Sequence, residues 1–257
     1  NYNALWRKYY IKLINLGFRG NTSLITTSKY AKRKLERSFS KKTPPIIVIF
    51  QSFLKSKTHN DSILKTLNLE DSDYLLHVGS FDKRKDLMTL VKAFKLLKED
   101  KKNKHLKLVL AGQKILNGNA EVLNDLEKYI STNNLSKSIL MTDYLSNGEI
   151  SSLYKKALIY VFPSIEEGFG IPILEAFAMK IPVVTSNAGA MVEIAEGAAE
   201  HFNAGDHIEL FKTLTKLIIS KPERTYLIQK GSERLMTFSR EKFIKDYEEL
   251  ILKSVNN

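Results

Sequence analysis

Residues 163–176 read Pro163-Ser164-Ile165-Glu166-Glu167-Gly168-Phe169-Gly170-Ile171-Pro172-Ile173-Leu174-Glu175-Ala176. An apolar run ends just before this stretch at Phe162, a loop with two glycines follows, and Pro172 stands where a first helical position is expected. Proline suits that position because it lacks the N–H that a helix start leaves unpaired. The segment therefore predicts a strand, a tight turn and a helix N-terminus. Such a terminus directs free amides and partial positive charge into the space ahead of it, which suits a pyrophosphate. Gly168 and Gly170, flanking Phe169 and followed by Ile171, let the backbone approach a ligand closely because they carry no Cβ. Glu167 falls in the loop, within reach of a sugar hydroxyl or the anomeric region. Glu175 is expected in the first helical turn, placed to accept two hydrogen bonds from a ribose diol.

Outward from this motif, strand and helix keep alternating. Strands are expected at Tyr74–Val78, Leu106–Ala111, Ser138–Met141 and Leu158–Phe162, separated by helices at Leu87–Lys98, Glu121–Ser131 and Asn147–Lys156. After Pro172 a helix runs to about Met179, followed by a strand at Pro182–Thr185 and amphipathic helices at Asp206–Ile219, Glu223–Phe238 and Arg240–Ser254. The strands are short, apolar throughout and rich in Val, Ile and Leu, as parallel strands covered on both faces are. The pattern predicts an α/β fold over residues 51–257: a Rossmann-like, doubly wound parallel sheet with its crevice at the carboxyl ends of the strands. Residues 1–50 read differently. An amphipathic helix is expected over Leu5–Leu16, a short strand at Ser23–Thr26 and a basic helix at Ser28–Ser38. The break at Pro44-Pro45 is followed by a strand at Ile46–Phe50.

The chain has 257 residues, 43% of them hydrophobic, enough for one substantial core and part of a second. It contains no cysteine, which excludes a disulfide framework and every thiolate metal site. No apolar run is long enough to cross a bilayer and no secretory leader is evident, so a cytoplasmic location is expected. The start at Asn1, in the middle of a pattern, is read as the start of a fragment. A formal charge of +12 favours an anionic partner: nucleic acid, a membrane surface or a phosphorylated small molecule. Charge does not choose among them.

Two glutamates in the frame Glu-Gly-Phe-Gly-x-Pro-x-x-Glu-Ala resemble the E-x7-E motif of family-4 retaining glycosyltransferases, which have the GT-B fold. Further stretches stand in that family's order and approximate spacing: Ile25-Thr26-Thr27-Ser28, Ile47-Val48-Ile49, Val78-Gly79 with Arg84-Lys85-Asp86, Leu110-Ala111-Gly112, Val161-Phe162-Pro163-Ser164, Pro182-Val183-Val184-Thr185-Ser186 and Asn203-Ala204-Gly205-Asp206. The resemblance implies that the chain is the C-terminal half of a GT-B enzyme, with residues 1–50 a remnant of the acceptor domain and the crossover. Its donor would be a nucleoside-diphosphate sugar, and its acceptor a glycan or lipid-linked hydroxyl bound through the missing domain. No metal or cofactor is implied. Glu167 would contact the transferred sugar, Glu175 the ribose and Lys85 the leaving diphosphate, whose developing negative charge must be stabilised in place. Gly79, Arg84, Gly112 and the 168–171 turn would border the donor, and Tyr144 and Leu145 its base. The family often carries arginine where this chain has Ser80, and Arg84 is the expected substitute.

The alternatives weigh differently. A Rossmann dehydrogenase or nucleotide-sugar-modifying enzyme is disfavoured, because Val78-Gly79-Ser80-Phe81-Asp82 contains no G-x-G-x-x-G. A nucleic-acid module rests on charge alone, and a relative that has lost catalysis is less favoured with both glutamates present. Asp71-Ser72-Asp73 has the form of a metal-binding D-x-D but precedes a strand, where a turn is expected. His77 is expected as a core histidine with a hydrogen-bond partner, and Asn117-Gly118-Asn119 as a turn. Outside its motif, Lys85 reads as a solvated helix start, a place mildly unfavourable to a cation. The helix Leu5–Leu16 packs on the missing domain or lies in a membrane interface. The basic helix is either a solvated face or a contact for anionic headgroups, giving a peripheral location at the inner membrane face.

Overall fold

The computed structural model describes residues 23–38, 44–53, 58–112 and 120–255, together with Tyr9 and Lys12. The expected helix Leu5–Leu16, apart from those two residues, and the turn Asn117-Gly118-Asn119 lie outside the described residues.

Strand β3 (Tyr74–Val78) decides the architecture, since all five of its residues are buried. A strand with no solvent face must be covered twice, and alternation sorts its side chains between two cores. Tyr74, Leu76 and Val78 join Tyr160, Phe162, Leu174 and Phe177 on one face. Leu75 joins Leu108, Leu110, Ile159, Val161 and Val184 on the other. Each such side chain, fully buried, contributes about 1.5–3 kcal/mol.

Around β3 the described chain forms a six-stranded sheet with β4 (Lys107–Ala111), β5 (Ile139–Met141), β6 (Ile159–Phe162), β7 (Val183–Ser186) and β8 (Glu200–Phe202), in the order β5-β4-β3-β6-β7-β8. Every neighbouring pair is parallel. The order reverses between β3 and β6, which makes their carboxyl ends the topological switch point. Pairing there stops early. β3 pairs with β4 through Val78 and Ala111, and β6 with β7 through Phe162 and Thr185. Between β3 and β6 the ladder ends at Leu76 and Tyr160. The two strands diverge and a crevice opens above them.

Ten α-helices are formed among the described residues, eight of them where they were expected. They are α1 (Lys29–Ser38), α2 (Ser62–Thr66), α3 (Leu87–Glu99), α4 (Ala120–Thr132), α5 (Asn147–Lys156), α6 (Ile171–Ala178), α7 (Met191–Ala195), α8 (His207–Ile219), α9 (Lys221–Leu235) and α10 (Arg240–Val255). β1 (Leu24–Thr26) and β2 (Ile46–Val48) pair in parallel as a separate two-stranded sheet, so the strand expected to reach Phe50 stops two residues earlier. The expectation missed α2, α7 and β8. Each is five residues or fewer, too short for periodicity to register, and Glu200-His201-Phe202 buries only Phe202 at the sheet edge.

Candidate functional site

Two loops meet over the switch point. The first leaves β3 through Gly79 and Ser80 and forms a single 3-10 turn, Lys83–Lys85, whose start is capped by Asp82 accepting from the Arg84 amide. This differs from the expectation for Lys85: it precedes α3 in a turn of its own, clear of the helix start, and it is buried. The second loop leaves β6 and carries Glu167. Lys85 Nζ donates to Glu167 Oε1 at 2.6 Å, with the two side chains 11% and 15% exposed. The ammonium also stands 4.9 Å from the centre of the Phe162 ring, an arrangement that attracts a cation.

The Glu167 loop is held from three sides. Ile165 N–H donates to the Arg84 carbonyl at 2.8 Å, which locks the two loops together. Ala190 N–H donates to the Glu167 carbonyl at 3.0 Å, and Ser28 Oγ donates to the Gly168 carbonyl at 2.6 Å. Gly189 must be glycine: its φ is +62°, and a Cβ there would lie 2.7 Å from Glu167 N. Gly112 is equally constrained, because a Cβ would lie 1.8 Å from the Gly79 carbonyl oxygen, so the ends of β3 and β4 touch. At Gly168 nothing lies within 4 Å of that position. Among the described residues no acceptor faces the amides of Gly168, Phe169, Gly170 and Ile171.

Helix α6 begins at Ile171 with Gly170 as its cap, so Pro172 is the second helical residue. Glu175 is the fifth, one residue beyond the first turn in which it was expected, and the first turn holds no acid. From there the side chain meets α5, where Tyr154 Oη donates to Glu175 Oε2 at 3.1 Å. Burial raises the Glu175 pKa above its ordinary value, and the Tyr154 hydrogen bond opposes that only in part. The carboxylate borders a cavity of about 220 Å³ with Phe53, Val78, Asn147, Ile150, Tyr154 and Met179. A row of rings joins this cavity to the ion pair: Tyr154 to Tyr160 at 5.2 Å, Tyr160 to Phe162 at 6.1 Å and Phe162 to His77 at 6.1 Å.

Arg84, Ser80 and Asp82 form a second small cluster at the end of β3. Ser80 Oγ donates to Asp82 Oδ2 at 2.7 Å and Arg84 Nη2 approaches the same oxygen at 3.3 Å. Burial raises the Asp82 pKa, but the Ser80 hydrogen bond and the Arg84 charge outweigh it and hold the carboxyl below its ordinary range. Arg84 is thus tethered to an acid that Ser80 also holds. Tyr144 is not drawn in: it is 77% exposed, and among its neighbours it is Asn147 and Ile150 that line the cavity, while Leu145 packs partly on the core. Asn147, Ile150 and Tyr154 were missed. The only sequence signal was a tyrosine on the buried side of α5, since a buried phenol needs a partner.

His77 has the core role expected of it, with Nδ1–H donating to the Val161 carbonyl at 3.0 Å. Asp73, of the D-x-D triplet, lies 3.8 Å from His105. Among the described residues no group of three or more His, Asp or Glu is placed to hold a metal ion. The basic helix α1 leans on the site instead of standing free. Glu193 accepts from the amides of Lys29 and Tyr30 at its start, and Lys34 pairs with Glu166 beside Glu167.

A doubly wound parallel sheet whose switch point is bridged by a cation and a carboxylate defines a Rossmann-like domain with a charged crevice at the carboxyl ends of its strands. Comparison with known proteins narrows the class. The family model for glycosyl transferases group 1 matches residues 58–234, and the chain belongs to that family. The O-antigen chain mannosyltransferase RfbU of Salmonella typhimurium is 27% identical over 198 residues, 77% of this chain and 51% of that protein. This chain therefore spans about half the length of that relative. The structure of Anabaena HepE in complex with UDP-glucose matches with a TM-score of 0.82 at 17% identity, over 95% of this chain and 67% of that one. The C-terminal domain of a group 1 glycosyl transferase from Francisella tularensis matches with a TM-score of 0.61 at 22% identity, over 72% of this chain and 95% of that one. The fold is that of the GT-B glycosyltransferases.

Proposed function

We propose that this chain is the C-terminal, donor-binding half of a retaining glycosyltransferase. Residues 51–257 form the nucleotide-sugar domain and residues 1–50 a remnant of the acceptor domain with its crossover. The observation that carries the reading is the Lys85–Glu167 pair spanning the β3–β6 crevice, with Glu175 eight residues on and facing a cavity of its own. HepE, solved with UDP-glucose, supports a nucleoside-diphosphate sugar as donor, and RfbU makes a mannosyl donor worth testing first.

In this reading the diphosphate replaces Glu167 as the counter-ion of Lys85. Glu167 then turns to the sugar, and Glu175 takes the ribose diol. When the bond from the anomeric carbon to the diphosphate breaks, charge builds on the phosphate beside Lys85 and the free amides of residues 168–171, groups already fixed in place. Arg84, released from Asp82, supplies the second cation. The acceptor hydroxyl attacks from the face the phosphate leaves, which keeps the anomeric configuration, and its proton passes to the departing phosphate. That scheme uses no metal. The acceptor, a glycan or lipid-linked hydroxyl, binds the part of the enzyme outside this chain, so the chain alone is expected to bind donor with little or no turnover. No helix among the described residues is long and apolar enough to cross a membrane, and the proposed setting is the cytoplasm or the inner membrane face. Calorimetric titration with GDP, UDP and ADP tests the reading: heat with at least one supports it, and no heat with any, from folded protein, rejects it.

A further inference from the structure

His77 stands where the sheet comes apart. On their outer sides β3 and β6 stay paired to Val78 and Phe162, while their shared ladder ends at Leu76 and Tyr160. The Val161 carbonyl, released from that ladder, is taken by the His77 imidazole at 3.0 Å, and the Val78 carbonyl by the Tyr160 hydroxyl at 3.4 Å. Side chains thus replace backbone as the rungs across the gap. The imidazole is completely buried, and since a carbonyl only accepts, its Nδ1 carries the proton. That leaves Nε2 as a bare acceptor with no partner among the described residues.

A stranded nitrogen is a poor choice if the position asks only for volume, because phenylalanine or leucine would fill it without one. The ring lies close to the Lys85 side of the ion pair. A Cβ on Gly79 would lie 3.0 Å from His77 Nε2 and 3.4 Å from Lys85 Cε, and the ring on which Lys85 rests, Phe162, stacks against the imidazole.

We propose that His77 is a positioning residue: its Nδ1–H bond to Val161 fixes the width of the β3–β6 gap and so holds Lys85 and Glu167 at the separation that receives a diphosphate. The proposal rests on the functional reading above. His77 touches no ligand itself.

The test is a split between two probes. In calorimetric titrations of the full chain, His77→Phe should weaken GDP or UDP binding at least tenfold while changing guanosine or uridine binding less than twofold. The nucleoside reaches only the Glu175 side of the crevice. His77→Asn, whose amide N–H stands where Nδ1–H stood, should restore nucleoside diphosphate affinity, and His77→Gln should not. Equal loss of both probes, no loss of either, or rescue by glutamine instead of asparagine overturns the proposal. If the unaltered chain binds none of the probes, it is the reading of the site that has failed. A second measurement then decides on His77 alone: a thermal-unfolding cycle of Lys85→Met and Glu167→Gln. Coupling that is present in the unaltered chain and His77→Asn but absent in the His77→Phe background supports the proposal. Coupling equal in all three backgrounds overturns it.

Discussion

Glu167 and Glu175 come from one motif, yet their surroundings have opposite character. Glu167 sits in a loop tied down by backbone hydrogen bonds and meets an ammonium at 2.6 Å. Glu175 sits on a regular helix, meets only a neutral hydroxyl at 3.1 Å, and has its pKa raised by burial. A carboxylate with a fixed counter-charge is matched to a site where charge is exchanged. One poised beside an apolar cavity with a single weak partner keeps acceptor capacity for incoming hydroxyls. The two environments divide the crevice into a charged half and a largely apolar half, joined by the ring row Tyr154-Tyr160-Phe162.

The largest effect expected from breaking this contrast is at Lys85. Lys85→Met removes the cation for the diphosphate and should weaken nucleoside diphosphate binding about 100-fold, or ~3 kcal/mol, as calorimetry would show. Next come the glutamates, compared by chemical denaturation. Glu167→Gln strands a largely buried ammonium and should cost about 1–3 kcal/mol of stability. Glu175→Gln replaces a poorly solvated acid by a neutral amide and should leave stability within about 1 kcal/mol of the unaltered chain, while ligand affinity still falls. If the two variants lose equal stability, the contrast is wrong.

The smallest effect is in pH dependence. Because the folded pKa of Glu175 lies above its ordinary 4.5, the folded state binds more protons than the unfolded one between those two values. Its stabilising contribution is therefore complete below 4.5 and declines as pH rises through the raised value. Subtracting the Glu175→Gln stability profile from that of the unaltered chain should leave that decline. Asp82, whose pKa is held below 3.8, works in the opposite direction at lower pH and cancels in the difference.

Much of this was legible in residues 163–176. The strand, the glycine turn and the helix start are local, and local chemistry specifies them. The depth of Glu175 was misjudged because helices begin where caps and packing allow, and Gly170 at φ +124° starts this one ahead of the proline. Tyr154 and His77 were illegible as site neighbours for a different reason. Their partners lie 21 and 84 residues away, on α6 for Tyr154 and on β6 for His77, and meet them only in the folded chain. β8 was missed because an edge strand of three residues, one of them buried, has no pattern to read. Lys85 and Glu167 are 82 residues apart; the family motifs placed both at the site, but their direct pairing was not foreseen.

Soaking crystals of the chain with a mixture of GDP, UDP and ADP tests the central claim most directly. The account expects a diphosphate within hydrogen-bonding distance of Lys85 Nζ, the Lys85–Glu167 contact opened, and a ribose on Glu175. A nucleotide bound elsewhere with that ion pair intact would contradict it.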